Sequence, residues 1–225
     1  MMDNLFHSAN CRPSYGGTDM VLICIGDSLT AGFGVRLSQR WSSLAASASG
    51  WQIINHGING DTTGGMLARL NGCLAAHPNT RGTQRPQVLI MGGSNDIFFS
   101  GTDQYARANI GAITHQLIST GITPMIGLPI PVLPQFAPAH WAQVVDFQTA
   151  ATRLEEYVDW LTRFSNGFGF SCVDFHSDFL CADGTPRTEL YLDGLHPTAE
   201  GHQKMAERLL RHLGVYHALS EGVSL

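Results

Sequence analysis

Four short runs of the 225-residue chain carry side chains that could do chemistry together: Gly26-Asp27-Ser28-Leu29, Asn59-Gly60, Ser94-Asn95-Asp96 and Asp193-Gly194-Leu195-His196. A serine hydroxyl is a weak nucleophile at its free pKa and needs an adjacent base. Of the 10 histidines, His196 is the best base, because Asp193 stands close before it and could accept from its Nδ1, leaving Nε2 for the serine. Acyl transfer also requires donors aimed at the developing oxyanion. The backbone N–H of Gly60 and the side-chain amide of Asn95 are available for that role. Each run also has a plain structural reading. Asn59-Gly60 is an ordinary turn dipeptide, Asn95-Asp96 could cap a turn, and Pro197 suits the first turn of a following helix, with Gly194 in the bend before it.

Topology is what favours the chemical reading. Ser28 follows a wholly apolar run, VLICI at 21–25, of the length and character of a buried parallel strand. The other runs also follow strand-like segments, and open parallel sheets gather such loops at the carboxyl edge of the strands. Rival motifs fail. Ser94 has a G-x-S context, but Asp96 stands where the last glycine of a G-x-S-x-G elbow belongs, as Thr30 does after Ser28. No GxxxxGK[ST] or GxGxxG spacing is present.

The elements that must position these residues alternate. Strands are predicted at 21–25, 51–55, 88–91, 123–128 and 168–175. Helices are predicted at 41–49, from 62 or 63 with Met66, Leu67, Leu70 and Leu74 as its stripe, at 105–119 with Ile110, Ile113, Leu117 and Ile118, at 142–164, and at 198–213. Such alternation predicts a three-layer α/β/α sandwich on a parallel sheet of about five strands, joined by right-handed crossovers. Pro129, Pro131, Pro134 and Pro138 forbid regular structure in the loop at 127–141. Its Leu128, Ile130, Val132, Leu133, Phe136 and Trp141 could wall an acyl or aryl pocket, or simply cover the rim of the core. Asp27, Leu29, Pro129, Ile130 and Val132 are the candidate substrate contacts.

Taken in order, Gly26-Asp27-Ser28-Leu29, Gly60 within NGDTT, Gly93-Ser94-Asn95-Asp96 and Asp193-Gly194-Leu195-His196-Pro197 resemble the four blocks of the SGNH hydrolases, the GDSL family. The likeness runs from the first strand to the last helix and is similar in detail to the bacterial thioesterase/arylesterase/lysophospholipase branch. Ser94 departs from the Gly or Thr frequent there, a small-for-small change. The resemblance implies a flavodoxin-like sandwich of strand order 2-1-3-4-5, with no metal or organic cofactor. It implies Ser28 as nucleophile, His196 as general base and acid, and Asp193 as the orienting carboxylate. The oxyanion hole would be the N–H groups of Ser28 and Gly60 with the Asn95 amide. The expected activity is hydrolysis of short- to medium-chain carboxylic esters through an acyl-serine. A thioesterase, a lysophospholipase or a carbohydrate O-deacetylase would use the same residues, and a non-enzymatic binding module with a vestigial site is the reading from another class. A flavin-type nucleotide binder has only the fold in its favour.

Composition narrows the partners. With 13 Lys and Arg against 18 Asp and Glu, and no basic cluster, a nucleic-acid partner is not expected. No apolar run approaches the ~20 residues of a membrane span. The five cysteines are odd in number and lack CxxC spacing, which argues against a disulfide framework or a thiolate zinc site and points to a reducing, cytoplasmic setting. Residues 1–19 lack the features of a secretory signal and read as a flexible leader, 20–216 as one domain and 217–225 as a tail. Oligomeric state is not encoded in any pattern found.

Overall fold

The computed structural model describes residues 20–77 and 86–215. The expected leader, the tail and most of the polar connection at 79–86 lie outside the described residues. Five parallel strands form one sheet in the order β2-β1-β3-β4-β5. They are β1 (Val21–Gly26), β2 (Gln52–Gly57), β3 (Gln87–Met91), β4 (Pro124–Leu128) and β5 (Ser171–Asp174). The helices are α1 (Ser28–Ala31), α2 (Trp41–Ser49), α3 (Thr63–Ala75), α4 (Ser94–Ser100), α5 (Gln104–Ser119), α6 (Phe147–Phe168) and α7 (Ala199–His212). This is the α/β sandwich expected of the sequence, in the expected strand order.

Two-residue alternation along the central strands builds a core on each face. Ile23 and Ile25 of β1, with Val88 and Ile90 of β3, pack under α3, α5 and α6 through Met66, Leu70, Ile110, Ile113, Leu154 and Leu161. Leu22, Cys24, Leu89 and Met91 point the other way, under α2 and α7, against Trp41, Ala45, Met205 and Leu209. A fully buried Leu or Ile is worth about 1.5–3 kcal/mol, so β1, buried on both sides, is the firmest support available for the residues that follow it. The site hangs from that strand.

Several boundaries differ from expectation. The strand predicted at 168–175 shortens to β5, because α6 continues to Phe168 and ends at Gly169 in the left-handed conformation. The helix predicted from 142 starts at Phe147 instead, where Asp146 caps it by accepting from the N–H groups of Gln148 and Thr149. Ile118 lies on the solvent side of α5, whereas Ala106 and Thr114 join its buried face. In α3 the buried stripe is Met66, Leu70 and Cys73, with Leu67 and Leu74 only partly covered. Pro197 does not open α7. Thr198 caps that helix, and Pro197 forms an antiparallel bridge with Tyr191. The short helices α1 and α4 were not predicted.

Candidate active site

Ser28 is the first residue of α1, immediately past the buried end of β1. The first N–H groups of a helix have no intrahelical acceptor, so the Ser28 N–H is directed away from the helix. Asp27 caps the turn, its Oδ1 accepting from Leu29 N at 2.9 Å. The carbonyl end of α1 is held from outside: Trp41 Nε1 donates to Leu29 O at 2.9 Å, and Asn55 Nδ2 to Thr30 O at 2.6 Å. A four-residue helix cannot sustain itself, so these bonds and β1 fix the serine's direction.

The imidazole arrives from the far end of the chain. His196 Nε2 lies 3.0 Å from Ser28 Oγ. Its Nδ1 lies 2.8 Å from Asp193 Oδ2. A carboxylate only accepts, so Nδ1 carries the proton and Nε2 is left to accept from the serine hydroxyl. Asp193 is itself fixed, its Oδ1 accepting from the N–H groups of Leu195 at 3.0 Å and His196 at 2.8 Å. Burial pushes the Asp193 carboxyl up, but the His196 ring and these N–H groups outweigh it and hold it below the ordinary carboxylate value. Phe33 packs on the imidazole, with ring centroids 4.4 Å apart.

Asn95 sits in the first turn of α4, and its Nδ2 donates to Asp61 O at 2.9 Å. That bond occupies one of the two amide hydrogens and orients the other. Gly60 has φ +74°, a left-handed conformation that favours glycine, while a Cβ there would touch nothing within 4 Å. The glycine is therefore required by the turn rather than by crowding inside the protein. Arg69 of α3 joins the loops: Nε donates to Asp61 Oδ2 at 2.8 Å and Nη2 to Gly26 O at 3.0 Å. Asp96 takes Thr63 N at 2.8 Å and Thr63 Oγ1 at 2.7 Å, tying α4 to the start of α3.

These residues open onto a cavity of about 250 Å³. Asp27, Ser28, Leu29, Gly60, Asn95, Ile130, Val132 and His196 all line it, as do Phe33, Phe98 and Trp141. Pro129 is not among the lining residues; its carbonyl accepts from His176 Nδ1 at 2.9 Å. Of the other apolar residues of that loop, Leu128 and Leu133 are buried in the two cores and Phe136 is exposed. Ser94 lines the same cavity, but among the described residues no imidazole bonds its hydroxyl.

Asp27 is 1% exposed, and its Oδ2 has no hydrogen-bond partner among the described residues. Burial drives its carboxyl up to about 7, against the pull of the Leu29 N–H, and the nearby carboxyls of Asp61 and Asp96 push the same way. Sequence reasoning missed Arg69, Asp96 with Thr63, Phe33 and Phe98, whose roles depend on partners remote in sequence. Among the described residues no three His, Cys, Asp or Glu side chains are grouped to hold a metal ion. No helix among them is long and apolar enough to cross a membrane.

A family model described as the GDSL-like Lipase/Acylhydrolase family matches residues 24–204, which hold every one of these side chains. The chain belongs to that family. By family it is a serine hydrolase, of a class that acts on esters. An arylesterase of Vibrio mimicus is 27% identical over 201 residues, 85% of this chain and 89% of that protein. The esterase TesA of Pseudomonas aeruginosa is 26% identical over 126 residues, 53% of this chain, and the match spans only 58% of that relative's length. In three dimensions the chain is similar to Est24, a carbohydrate acetylesterase from Sinorhizobium meliloti, with a TM-score of 0.71 and 20% identity over 87% of this chain and 98% of that one. At that identity the likeness is one of fold.

Proposed function

We propose that the protein hydrolyses short- to medium-chain carboxylic esters through an acyl-serine intermediate, with Ser28 as nucleophile, His196 as base and acid, and Asp193 as the orienting carboxylate. The observation that carries this reading is the 3.0 Å approach of His196 Nε2 to Ser28 Oγ while Nδ1 is held by Asp193. In the first step Ser28 Oγ attacks the ester carbonyl and Nε2 takes its proton. The carbonyl oxygen becomes an oxyanion, received by the N–H groups of Ser28 and Gly60 and the remaining Asn95 amide hydrogen. Collapse expels the alcohol, protonated by the imidazolium. Water, deprotonated by Nε2, then attacks the acyl-serine and releases the acid.

The cavity favours a small acyl or aryl group. Its volume of about 250 Å³ falls below the ~300–1,000 Å³ of pockets for drug-sized ligands. Its apolar lining comes from Phe33, Phe98, Ile130, Val132, Trp141 and Leu195. The arylesterase relative supports an aryl leaving group, and the shared fold of Est24 keeps an acetylated carbohydrate as a second substrate class. The test is kcat/KM for p-nitrophenyl esters from acetate to palmitate, run beside an acyl-thioester and an acetylated sugar. The proposal expects a maximum at acetate to hexanoate; a maximum at palmitate, or turnover of the thioester alone, contradicts it.

A further inference from the structure

The cavity wall formed by residues 129–133 is an extended strap rather than an element. Pro129 and Pro131 have no N–H to offer, so the strap cannot be stitched into the sheet from its own side. It is bolted from outside at successive points. His176 Nδ1 meets Pro129 O at 2.9 Å, Tyr191 OH donates to Pro131 O at 2.9 Å, and Leu133 N donates to Gly194 O at 2.8 Å. The last two bonds come from the loop that carries Asp193 and His196. Gly194 admits the strap closely, since a Cβ there would stand 2.5 Å from Leu133 O. Between the bolts, Ile130 and Val132 face the cavity.

His176 differs from the other bolts because its ring can donate from both nitrogens only when it is charged. Its side chain is 7% exposed, and its Nε2 lies 3.0 Å from Glu155 Oε2 on α6. A carbonyl oxygen and a carboxylate both only accept, so both contacts are hydrogen bonds only when both ring nitrogens carry protons. The wall is therefore fully pinned by the imidazolium and half-pinned by the neutral ring. The charged and titratable groups around the ring are Glu155 of α6, Asp174 at the end of β5, and Tyr191, which senses the same Glu155. Asp178, two residues on, is already paired with Arg208 at 2.6 Å. Burial works against a charged ring here, but Glu155, the Pro129 carbonyl and Asp174 together outweigh it and hold the His176 pKa above the ordinary imidazole value.

We propose that His176, bridging Glu155 to the Pro129 carbonyl, is a positioning residue that sets the depth of the acyl cavity through Ile130 and Val132, and that its protonation makes acyl-chain selectivity depend on pH. The inference rests on the ester-hydrolase reading, yet it separates from that reading in the test. Protonation of His196 would remove the base for every acyl group alike, whereas protonation of His176 changes the ratio between acyl groups.

The experiment measures kcat/KM for p-nitrophenyl acetate and hexanoate across about pH 6 to 9. The hexanoate-to-acetate ratio should rise about fivefold or more as the ring loses its proton, methylene discrimination in apolar pockets being of that order or larger. The midpoint should lie above the ordinary imidazole value and move to lower pH in Glu155→Gln, a half-exposed site where the fold should tolerate the change. In His176→Gln the ratio should be high and flat with pH. A ratio that stays flat in the wild type while both esters are hydrolysed overturns the proposal, as does an unmoved midpoint in folded Glu155→Gln. Absence of any ester hydrolysis would instead sink the parent reading. In that case ring 15N shifts of His176 decide the matter without turnover: two protonated nitrogens at neutral pH support it, and a single neutral tautomer contradicts it.

Discussion

Among the described residues there are two serine–histidine pairs, and their surroundings differ in every respect that matters to chemistry. In one, Ser28 follows the carboxyl end of a central, doubly buried strand and meets His196. In the other, Ser171 opens the edge strand β5 and meets Nε2 of His212, the last residue of α7, at the opposite end of the sheet. His196 is held by a carboxylate on its far nitrogen; among the described residues no carboxylate bonds His212. Burial lowers the His212 pKa. Ser28 faces a cavity beside Gly60 and Asn95, which Ser171 does not line. A short contact between hydroxyl and imidazole does not by itself make a site. The mechanism proposed for Ser28 also needs an orienting acid, oxyanion donors and a walled cavity.

Breaking the first pair should have the largest effect. Ser28→Ala is expected to lower kcat by about 10⁶-fold, the loss typical of removing a hydrolase nucleophile, with an unchanged circular dichroism spectrum; retention of a tenth of the activity would refute the assignment. Next comes the orienting acid. In Asp193→Asn, the amide oxygen can keep the N–H groups of Leu195 and His196, while the NH₂ donates to Nδ1 and drives the ring proton to Nε2. That is the wrong tautomer, and kcat should fall about 10⁴-fold. Removing the donor in Asn95→Ala should cost about 2.7–4 kcal/mol of transition-state stabilisation, read as a fall in kcat on an activated acetate ester. A loss under about threefold would take Asn95 out of the oxyanion hole.

Asp27 tests the burial of the first pair's surroundings rather than its chemistry. Its folded pKa is raised from 3.8 to about 7, so the native state holds this proton more tightly than the unfolded chain. The resulting stabilisation is full at low pH, falls as the pH climbs from 3.8 through about 7, and is lost above that. Asp27→Asn, which keeps an acceptor for Leu29 N, should remove this decline. Urea unfolding at about pH 5 and about pH 8 should show the variant gaining on the wild type by about 2–3 kcal/mol, the part of the shift that titrates between those two values. No difference in the two slopes would mean that Asp27 is not desolvated. The smallest effect belongs to the second pair: Ser171→Ala should leave kcat/KM within about twofold, as surface substitutions usually move little.

Much of the first pair was legible in the sequence because its members are marked locally. A hydroxyl directly after an apolar strand and an acid close before a histidine announce themselves, and the parallel topology does the rest. What holds them was less legible. Arg69 looks like any surface arginine of an amphipathic helix until Asp61 and the Gly26 carbonyl are found beside it. His176 carries no motif, since one partner is a backbone carbonyl in a distant loop and the other lies on α6. The apolar pattern of residues 168–175 suggested a longer strand, but Gly169 ends the preceding helix inside it. In the strap, Pro129 was expected at the cavity beside Ile130 and Val132, yet it contributes its carbonyl to a bolt instead. The signal available was the proline pair, which requires that something else supply the donors.

The contrast between the pairs is tested most directly by covalent labelling. The folded protein would be treated with a serine-directed fluorophosphonate and its peptides mapped by mass spectrometry. Modification at Ser28, abolished in His196→Ala and unaffected in His212→Ala, is the expected result. Modification at Ser171 or Ser94, or none at all in folded protein, would contradict the account.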